Sequence, residues 1–121
     1  MKKIAIIGGG IAGLTFARCL SNNNFKIDIY EKKSEFGEIG AAISMFPNAL
    51  CVLDEIGLID QILKTSGHFK NVYLKTEKGE ILSKTTPKSD YPVICIHRVD
   101  LHNILLSNIN ATLNKGMGLK Q

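Results

Sequence analysis

The sequence has 121 residues and a composition typical of a globular protein, with 45% hydrophobic and 21% charged residues. Fifteen basic and eleven acidic residues give a formal net charge of +4, but the basic residues are scattered, which argues against a nucleic-acid surface. No apolar stretch reaches the roughly 20 residues that a membrane-spanning helix requires, and the length suits one domain at most.

The chain begins with a βαβ pattern that ends in an acidic residue. Lys3–Ile7 is a short apolar run typical of a buried parallel strand, and the glycine-rich stretch Gly8–Gly13 follows at once. Leu14–Leu20 has the pattern of a helix, Phe25–Tyr30 alternates apolar and polar residues as a second strand does, and Glu31 comes next. This order of elements is the pattern of a dinucleotide-binding fold.

Three glycines of the turn each have a separate physical reason. Gly8 permits the tight turn, Gly10 allows a pyrophosphate to approach the backbone, and Gly13 allows the helix to pack closely on the sheet. The helix N-terminus offers unpaired N–H groups to phosphate, and Glu31 lies roughly 20 residues further on, where an acid accepts hydrogen bonds from ribose hydroxyls. The residues expected to contact the dinucleotide here are Gly8, Gly10, Ile11, Ala12, Gly13 and Glu31. Lys32 would either help to neutralise the pyrophosphate or be simply solvated. The alternative is an ordinary βαβ turn whose glycines serve only packing, and it leaves Glu31 without a role.

The middle of the chain mixes helical and strand patterns. Ile39–Ile43 is small and apolar, which suits either a loop that lets backbone approach a flat ligand or a buried crossover. Ser44–Pro47 opens a helix that ends at Gly57. The further elements predicted are a short helix over Leu58–Lys64, a hairpin with strands over 72–75 and 81–83, a strand over Val93–Ile96 and a helix from about Val99. Residues 111–121 have no periodicity and are expected to form a disordered tail.

The cysteines and histidines predict no metal site. Cys19, Cys51 and Cys95 are odd in number and include no CxxC pair. This pattern favours buried thiols in a reducing compartment, the cytoplasm, over disulfides or zinc. The three histidines have no ligand spacing between them and are expected to be structural or exposed.

Three segments in a fixed order carry a family resemblance. They are Ile6–Glu31, then Glu38–Ile43 with Pro47-Asn48-Ala49, Leu53 and Gly57-Leu58, and finally Ile96–Leu101 with Leu105. Together they resemble the N-terminal part of the FAD-dependent aromatic-ring monooxygenases, the group of salicylate and para-hydroxybenzoate hydroxylases. The resemblance implies an α/β chain with an incomplete, Rossmann-like βαβ FAD-binding fold over residues 1–110. A β-hairpin at about 69–84 would begin a substrate-domain sheet.

The resemblance also implies roles for individual residues. The three turn glycines would hold the FAD pyrophosphate, and Glu31 would hold the adenosine ribose. Arg98 would contact the cofactor near its phosphates and ribityl chain, and the alternative for it is a surface salt bridge. Gly40 and Ala41 would lie near the isoalloxazine edge. Ala42 stands where the family has a glycine, which adds a methyl group on the flavin side.

The implied reaction is hydroxylation of a small aromatic substrate with O2, using tightly bound FAD and NADH or NADPH as co-substrate. No side chain of this sequence is a convincing acid or base, so no catalytic residue is predicted. The alternatives are an FAD- or NAD-dependent dehydrogenase of the same fold and a catalytically inactive nucleotide-binding fragment.

The predicted sheet is too small to be complete. Two parallel strands and a few amphipathic helices cannot cover both faces of a doubly wound sheet. The chain is therefore expected to be a fragment of a larger enzyme and inactive by itself. A second copy in a homo-oligomer would cover the open sheet edge.

Overall fold

The computed structural model describes residues 1–21, 23–37 and 40–120. The strands are β1 (Lys2–Ile7), β2 (Phe25–Glu31), β3 (Ala42–Met45), β4 (Gly67–Phe69), β5 (Val72–Lys75), β6 (Ile81–Thr85), β7 (Val93–His97) and β8 (Thr112–Lys115). The helices are α1 (Ile11–Leu20), α2 (Pro47–Glu55), α3 (Ile59–Thr65) and α4 (Arg98–Leu106). No helix within these ranges is long and apolar enough to cross a membrane.

These elements form two units, of which the first holds the glycine turn. This glycine-turn unit comprises Met1–Ala41 and Arg98–Gln121, and the middle unit comprises Ala42–His97. The glycine-turn unit is built on a three-stranded parallel sheet in the order β1-β2-β8. Helices α1 and α4 pack together, and their apolar stripes are buried with alternate residues of the strands, as expected for helices covering one sheet face. The buried apolar residues are Ile6, Leu14, Ala17, Ile27, Ile29, Leu101, Ile104 and Leu105.

The third strand corrects the prediction of a disordered tail. Thr112–Lys115 forms β8, which pairs in parallel with Asp28–Glu31 of β2, and beyond it the amide of Met117 donates to the carbonyl of Glu31 at 2.9 Å. The prediction was wrong here because this four-residue strand pairs with β2, which is distant in sequence, and no adjacent turn marks it as half of a hairpin. Its hydrogen bonds come from the outer edge of β2, which the local sequence does not reveal. Gln121, also assigned to the tail, lies outside the described residues.

A side chain of α1 secures the end of α4. The guanidinium of Arg18 donates from Nε to the carbonyl of Leu105 at 2.7 Å and from Nη2 to the carbonyl of Ile104 at 3.2 Å, and Nη2 also donates to the carbonyl of Ser107. These carbonyls lie at the helix C-terminus, where they have no partner within the helix. The contact therefore fixes α4, which carries Arg98, against α1.

The middle unit consists of a three-stranded antiparallel sheet in the order β3-β7-β4 and a separate hairpin of β5 and β6. Its core comprises Leu50, Leu53, Leu58, Ile62, Val93, Ile94 and Ile96. The hairpin was predicted, and its assignment to a substrate-domain sheet stays a prediction. Strands β3 and β4 were missed because both are short and are defined by pairing with β7. Two predictions are therefore wrong over β3: the loop or crossover at 39–43 and the helix start at Ser44. Ile39, the first residue of the predicted loop, lies outside the described residues.

The cysteines also differ from the prediction. All three are free thiols, but Cys19 and Cys51 are exposed and only Cys95 is partly buried. The first two lie on the outward faces of α1 and α2, whose buried positions are taken by Leu14 and Ala17 and by Leu50 and Leu53. The expectation of buried thiols is therefore wrong for these two cysteines.

Candidate functional site

The glycine turn joins β1 to α1 through a backbone that only small residues permit. Gly8 has a φ of +102°, a conformation that residues with a Cβ rarely adopt, and its N–H donates to the carbonyl of Tyr30 at 2.8 Å. A Cβ on Gly13 would lie 2.0 Å from the carbonyl oxygen of Gly8. The first turn of α1 therefore rests directly on the backbone that leaves β1.

Gly10 differs from these two glycines because its surroundings are open. It is the N-cap of α1 with φ −78° and ψ −175°, and no described side chain caps this end of the helix. Apart from the adjoining backbone, no atom of the described residues lies within 4 Å of where its Cβ would be. The N–H groups at this helix end are thus accessible, and the helix dipole favours an anion here.

Glu31 lies beside this turn at the end of β2. Its side chain is only 9% exposed, with Oε1 accepting the N–H of Lys33 at 2.9 Å and Oε2 accepting the N–H of Gly9 at 2.8 Å. The bond from Lys33 and the bond from Gly9 hold the pKa of this carboxyl below its usual value, and the charges of Lys33 and Lys32 add to the effect against the opposing influence of burial. Glu31 is therefore ionised at neutral pH, and each oxygen keeps accepting capacity for a further hydroxyl.

A cavity of about 350 Å³ adjoins the turn within the glycine-turn unit. It is lined by Gly9, Gly10, Ile11, Glu31, Lys33, Phe36, Gly37, Arg98, Val99, His102 and Asn103. Four predicted site residues, Gly10, Ile11, Glu31 and Arg98, thus meet around one space although Arg98 is distant in sequence. The charges facing this space have both signs, since Lys33 and Arg98 adjoin the carboxylate of Glu31.

Other predicted residues lie elsewhere. Among the described residues the lining does not include Gly8, Ala12, Gly13, Lys32, Gly40 or Ala41. Gly8 and Gly13 shape the turn from within. Lys32 lies beside Gly118, where an added Cβ would be 3.3 Å from the Cβ of Lys32, and Lys33 is the lysine that reaches the cavity. The carbonyl of Ala41 accepts the N–H of Arg98 at 2.9 Å, which places it next to the start of α4.

Sequence reasoning missed His102, which joins α4 to the glycine turn. Its Nε2 lies 2.7 Å from the carbonyl oxygen of Gly9, and its ring stacks at a tilt on Phe36 with the centroids 4.4 Å apart. The available signal was spacing, because His102 lies four residues after Arg98 and so shares its helix face. No feature of the sequence distinguishes Lys33 from the adjacent Lys32. Only the direction of the backbone after β2 decides which of the two lysines reaches the cavity.

The chain is similar in sequence and in structure to known proteins. The family model described as an NAD(P)-binding Rossmann-like domain matches residues 6–48. The chain is 30% identical over 112 residues to 6-hydroxynicotinate 3-monooxygenase of Pseudomonas fluorescens, which covers 86% of this chain and 29% of that protein. It is 31% identical over 112 residues to the FAD-dependent monooxygenase adrH of Penicillium rubens, which covers 88% of this chain and 25% of that protein.

Among solved structures, the tetrameric form of 2-methyl-3-hydroxypyridine-5-carboxylic acid oxygenase matches with a TM-score of 0.85 and 28% identity, covering 96% of this chain and 32% of that one. The chain thus spans less than a third of the length of the relatives it matches. The α/β, Rossmann-like fold and the resemblance drawn from the three segments are confirmed for the N-terminal part of these relatives.

Proposed function

We propose, from the match to the N-terminal part of FAD-dependent aromatic monooxygenases, that this chain is the FAD-binding portion of such an enzyme. The whole protein would use NADH or NADPH and O2 to hydroxylate a small aromatic substrate. Support for the substrate class comes from the relatives' names, which specify a hydroxynicotinate and a hydroxypyridine carboxylic acid. Support for FAD comes from the name of the fungal relative.

The residues present fit the adenosine end of FAD. One observation carries this assignment: the open backbone at Gly10 lies beside a buried, ionised Glu31 that keeps accepting capacity on both oxygens. The N–H groups of Ile11 and Ala12 at the start of α1 would bind the pyrophosphate, and Glu31 would accept hydrogen bonds from the ribose hydroxyls. The cavity lies near the lower end of the roughly 300–1,000 Å³ found for small-molecule sites, so it suits part of the cofactor.

The remaining predicted residues have roles around this core. Gly8 and Gly13 would set the shape of the turn, and Arg98 would neutralise phosphate charge from the start of α4. Gly40 and Ala41 would flank the flavin edge, supported by the hydrogen bond between Ala41 and Arg98. Lys32 would act only through its charge, because Lys33 is the lysine that lines the cavity.

Bound FAD would supply the redox chemistry that links NAD(P)H to O2. This chain would bind and orient it, and we assign no proton transfer to any of its residues. We further propose that the enzyme acts in the cytoplasm, supported by three free thiols. We also propose that it forms a homo-oligomer that covers the open sheet edge.

The test is a titration of the purified chain with FAD, in which the quenching of flavin fluorescence measures binding. We expect binding by the unmodified chain and its loss in Gly10→Val, whose side chain would fill the space proposed for phosphate. Gly67→Val is the matched control, because an added Cβ there meets only one backbone oxygen at 3.9 Å in the middle unit. A chain that takes up neither FAD nor ADP would refute the proposal, and equal binding by Gly10→Val would refute the placement of the phosphates.

A further inference from the structure

We propose that His102 is a positioning residue of this nucleotide site, which holds the peptide between Gly9 and Gly10 in its binding orientation. The inference rests on the proposed function for the identity of the ligand, an ADP-containing nucleotide. His102 acts through the backbone, since its ring bonds to a carbonyl of the turn.

The direction of the hydrogen bond follows from its partner. A carbonyl oxygen only accepts, so Nε2 of His102 must carry the proton that it donates to Gly9 across 2.7 Å. Phe36 supports the ring from the side by stacking on it. Phe36 also covers Gly9, where an added Cβ would lie 3.1 Å from the edge of the phenyl ring. The imidazole is therefore held between the turn and an aromatic neighbour.

Three successive peptides of the turn are each fixed by one hydrogen bond. The peptide between Gly8 and Gly9 is fixed through its N–H by Glu31. The peptide after Gly10 is fixed through its carbonyl by the N–H of Leu14 at 3.0 Å. The peptide between Gly9 and Gly10 is fixed through its carbonyl by His102.

The middle peptide of these three carries the N–H of Gly10, at the helix end proposed to bind the anion. Like the peptide before it, it lies between two glycines, which resist rotation of a peptide plane less than other residues do. Because the peptide is planar, its C=O and N–H point in opposite directions, and a flip would exchange them. A flipped peptide would put a carbonyl oxygen where the N–H of Gly10 stood, and would repel an anion that the N–H attracts. His102 opposes this flip, since the flipped peptide would turn an N–H toward its own N–H.

Two substitutions separate the donor from the ring. His102→Phe keeps a ring against Phe36 but removes the donor, whereas His102→Gln keeps an N–H donor at a similar reach. Because one hydrogen bond makes a modest net contribution to the free energy, we expect FAD and ADP to bind about 2- to 10-fold more weakly to His102→Phe. We expect His102→Gln to recover most of this loss. His68→Phe is the matched control, because Nε2 of His68 also contacts a backbone carbonyl, that of Leu63 at 3.0 Å, but lies in the middle unit.

A measurement without ligand keeps this inference separate from the proposed function. We expect NMR relaxation dispersion at the amide of Gly10 to be flat in the unmodified chain, in His102→Gln and in His68→Phe, and to show exchange in His102→Phe. A purely structural role would lower the unfolding midpoint without producing exchange confined to the turn. Flat dispersion in His102→Phe overturns the inference whether or not FAD binds. Equal nucleotide affinity in His102→Phe and the unmodified chain also overturns it, whereas absence of binding by the unmodified chain refutes the proposed function.

Discussion

A Cβ at Gly13 should destabilise the glycine-turn unit far more than a Cβ at Gly10, although both glycines belong to the same turn. In Gly13→Ala the new methyl would lie 2.0 Å from the carbonyl oxygen of Gly8 and 3.3 Å from Cγ2 of Ile6. Relief requires α1 to move by more than about 1 Å, since normal contacts exceed about 3.5 Å. Overpacking of this kind costs up to about 3 kcal/mol, and alanine's better helix propensity returns about 1 kcal/mol.

The expected net loss for Gly13→Ala is therefore about 2 kcal/mol, equivalent to a fall of roughly 10 °C in the midpoint of unfolding. In Gly10→Ala the new methyl meets no described atom. Alanine's poorer N-capping is offset by its smaller unfolded-state entropy, so the change should stay within about 0.5 kcal/mol. Amide hydrogen exchange in β1 and β2 measures the stability of this unit by itself. Equal stabilities of the two variants would refute the close packing of α1 on the turn.

Three further changes test other contacts. Glu31→Gln should lower the free energy of unfolding at neutral pH by about 1–3 kcal/mol, because one backbone N–H then faces an amide instead of an oxygen. Since the pKa of Glu31 is lowered by folding, its stabilisation is present above the unfolded value and is lost as pH falls through the folded one. Urea unfolding at a series of decreasing pH values should therefore show the free energies of unfolding of the two proteins converging as the pH falls. Arg18→Met should cost about 1.5–3 kcal/mol by freeing the last carbonyls of α4, with Arg18→Lys intermediate in the same urea assay. Asp54→Asn should shift the ultraviolet titration of Tyr91, whose hydroxyl donates to Asp54 at 2.5 Å. That bond raises the pKa of Tyr91 to about 12, and the variant should titrate nearer to about 10.

The βαβ unit was predictable because its sequence features have local physical causes. The positive φ at Gly8 and the short distance at Gly13 are properties of one strand-to-helix turn. Any chain that makes this turn needs glycine at those positions. Likewise, Glu31 ends the strand that pairs in parallel register with β1, so spacing along the sequence was enough to bring it to the turn.

The missed elements depend on partners distant in sequence. Strands β3, β4 and β8 are three or four residues long, and each exists through pairing with a strand elsewhere in the chain. The equally short β5 was predicted because its partner β6 follows it after a single turn. The choice between Lys32 and Lys33 depended on backbone direction after β2. The position of His102 depended on how α4 packs, which its helical spacing from Arg98 only suggests.

The candidate site likewise depends on both local and distant parts of the sequence. The glycines provide space and freedom of rotation, and freedom alone would let each peptide of the turn point either way. Orientation comes from side chains 22 and 93 residues away from Gly9, those of Glu31 and His102. An anion site made of backbone N–H groups requires both properties, because the same peptide attracts phosphate through its N–H and repels it through its carbonyl. The fingerprint therefore predicts where a nucleotide can approach. On the proposed function, binding would depend in addition on α4 and β2 holding the turn, so the site would be a property of the folded unit and not of the motif by itself.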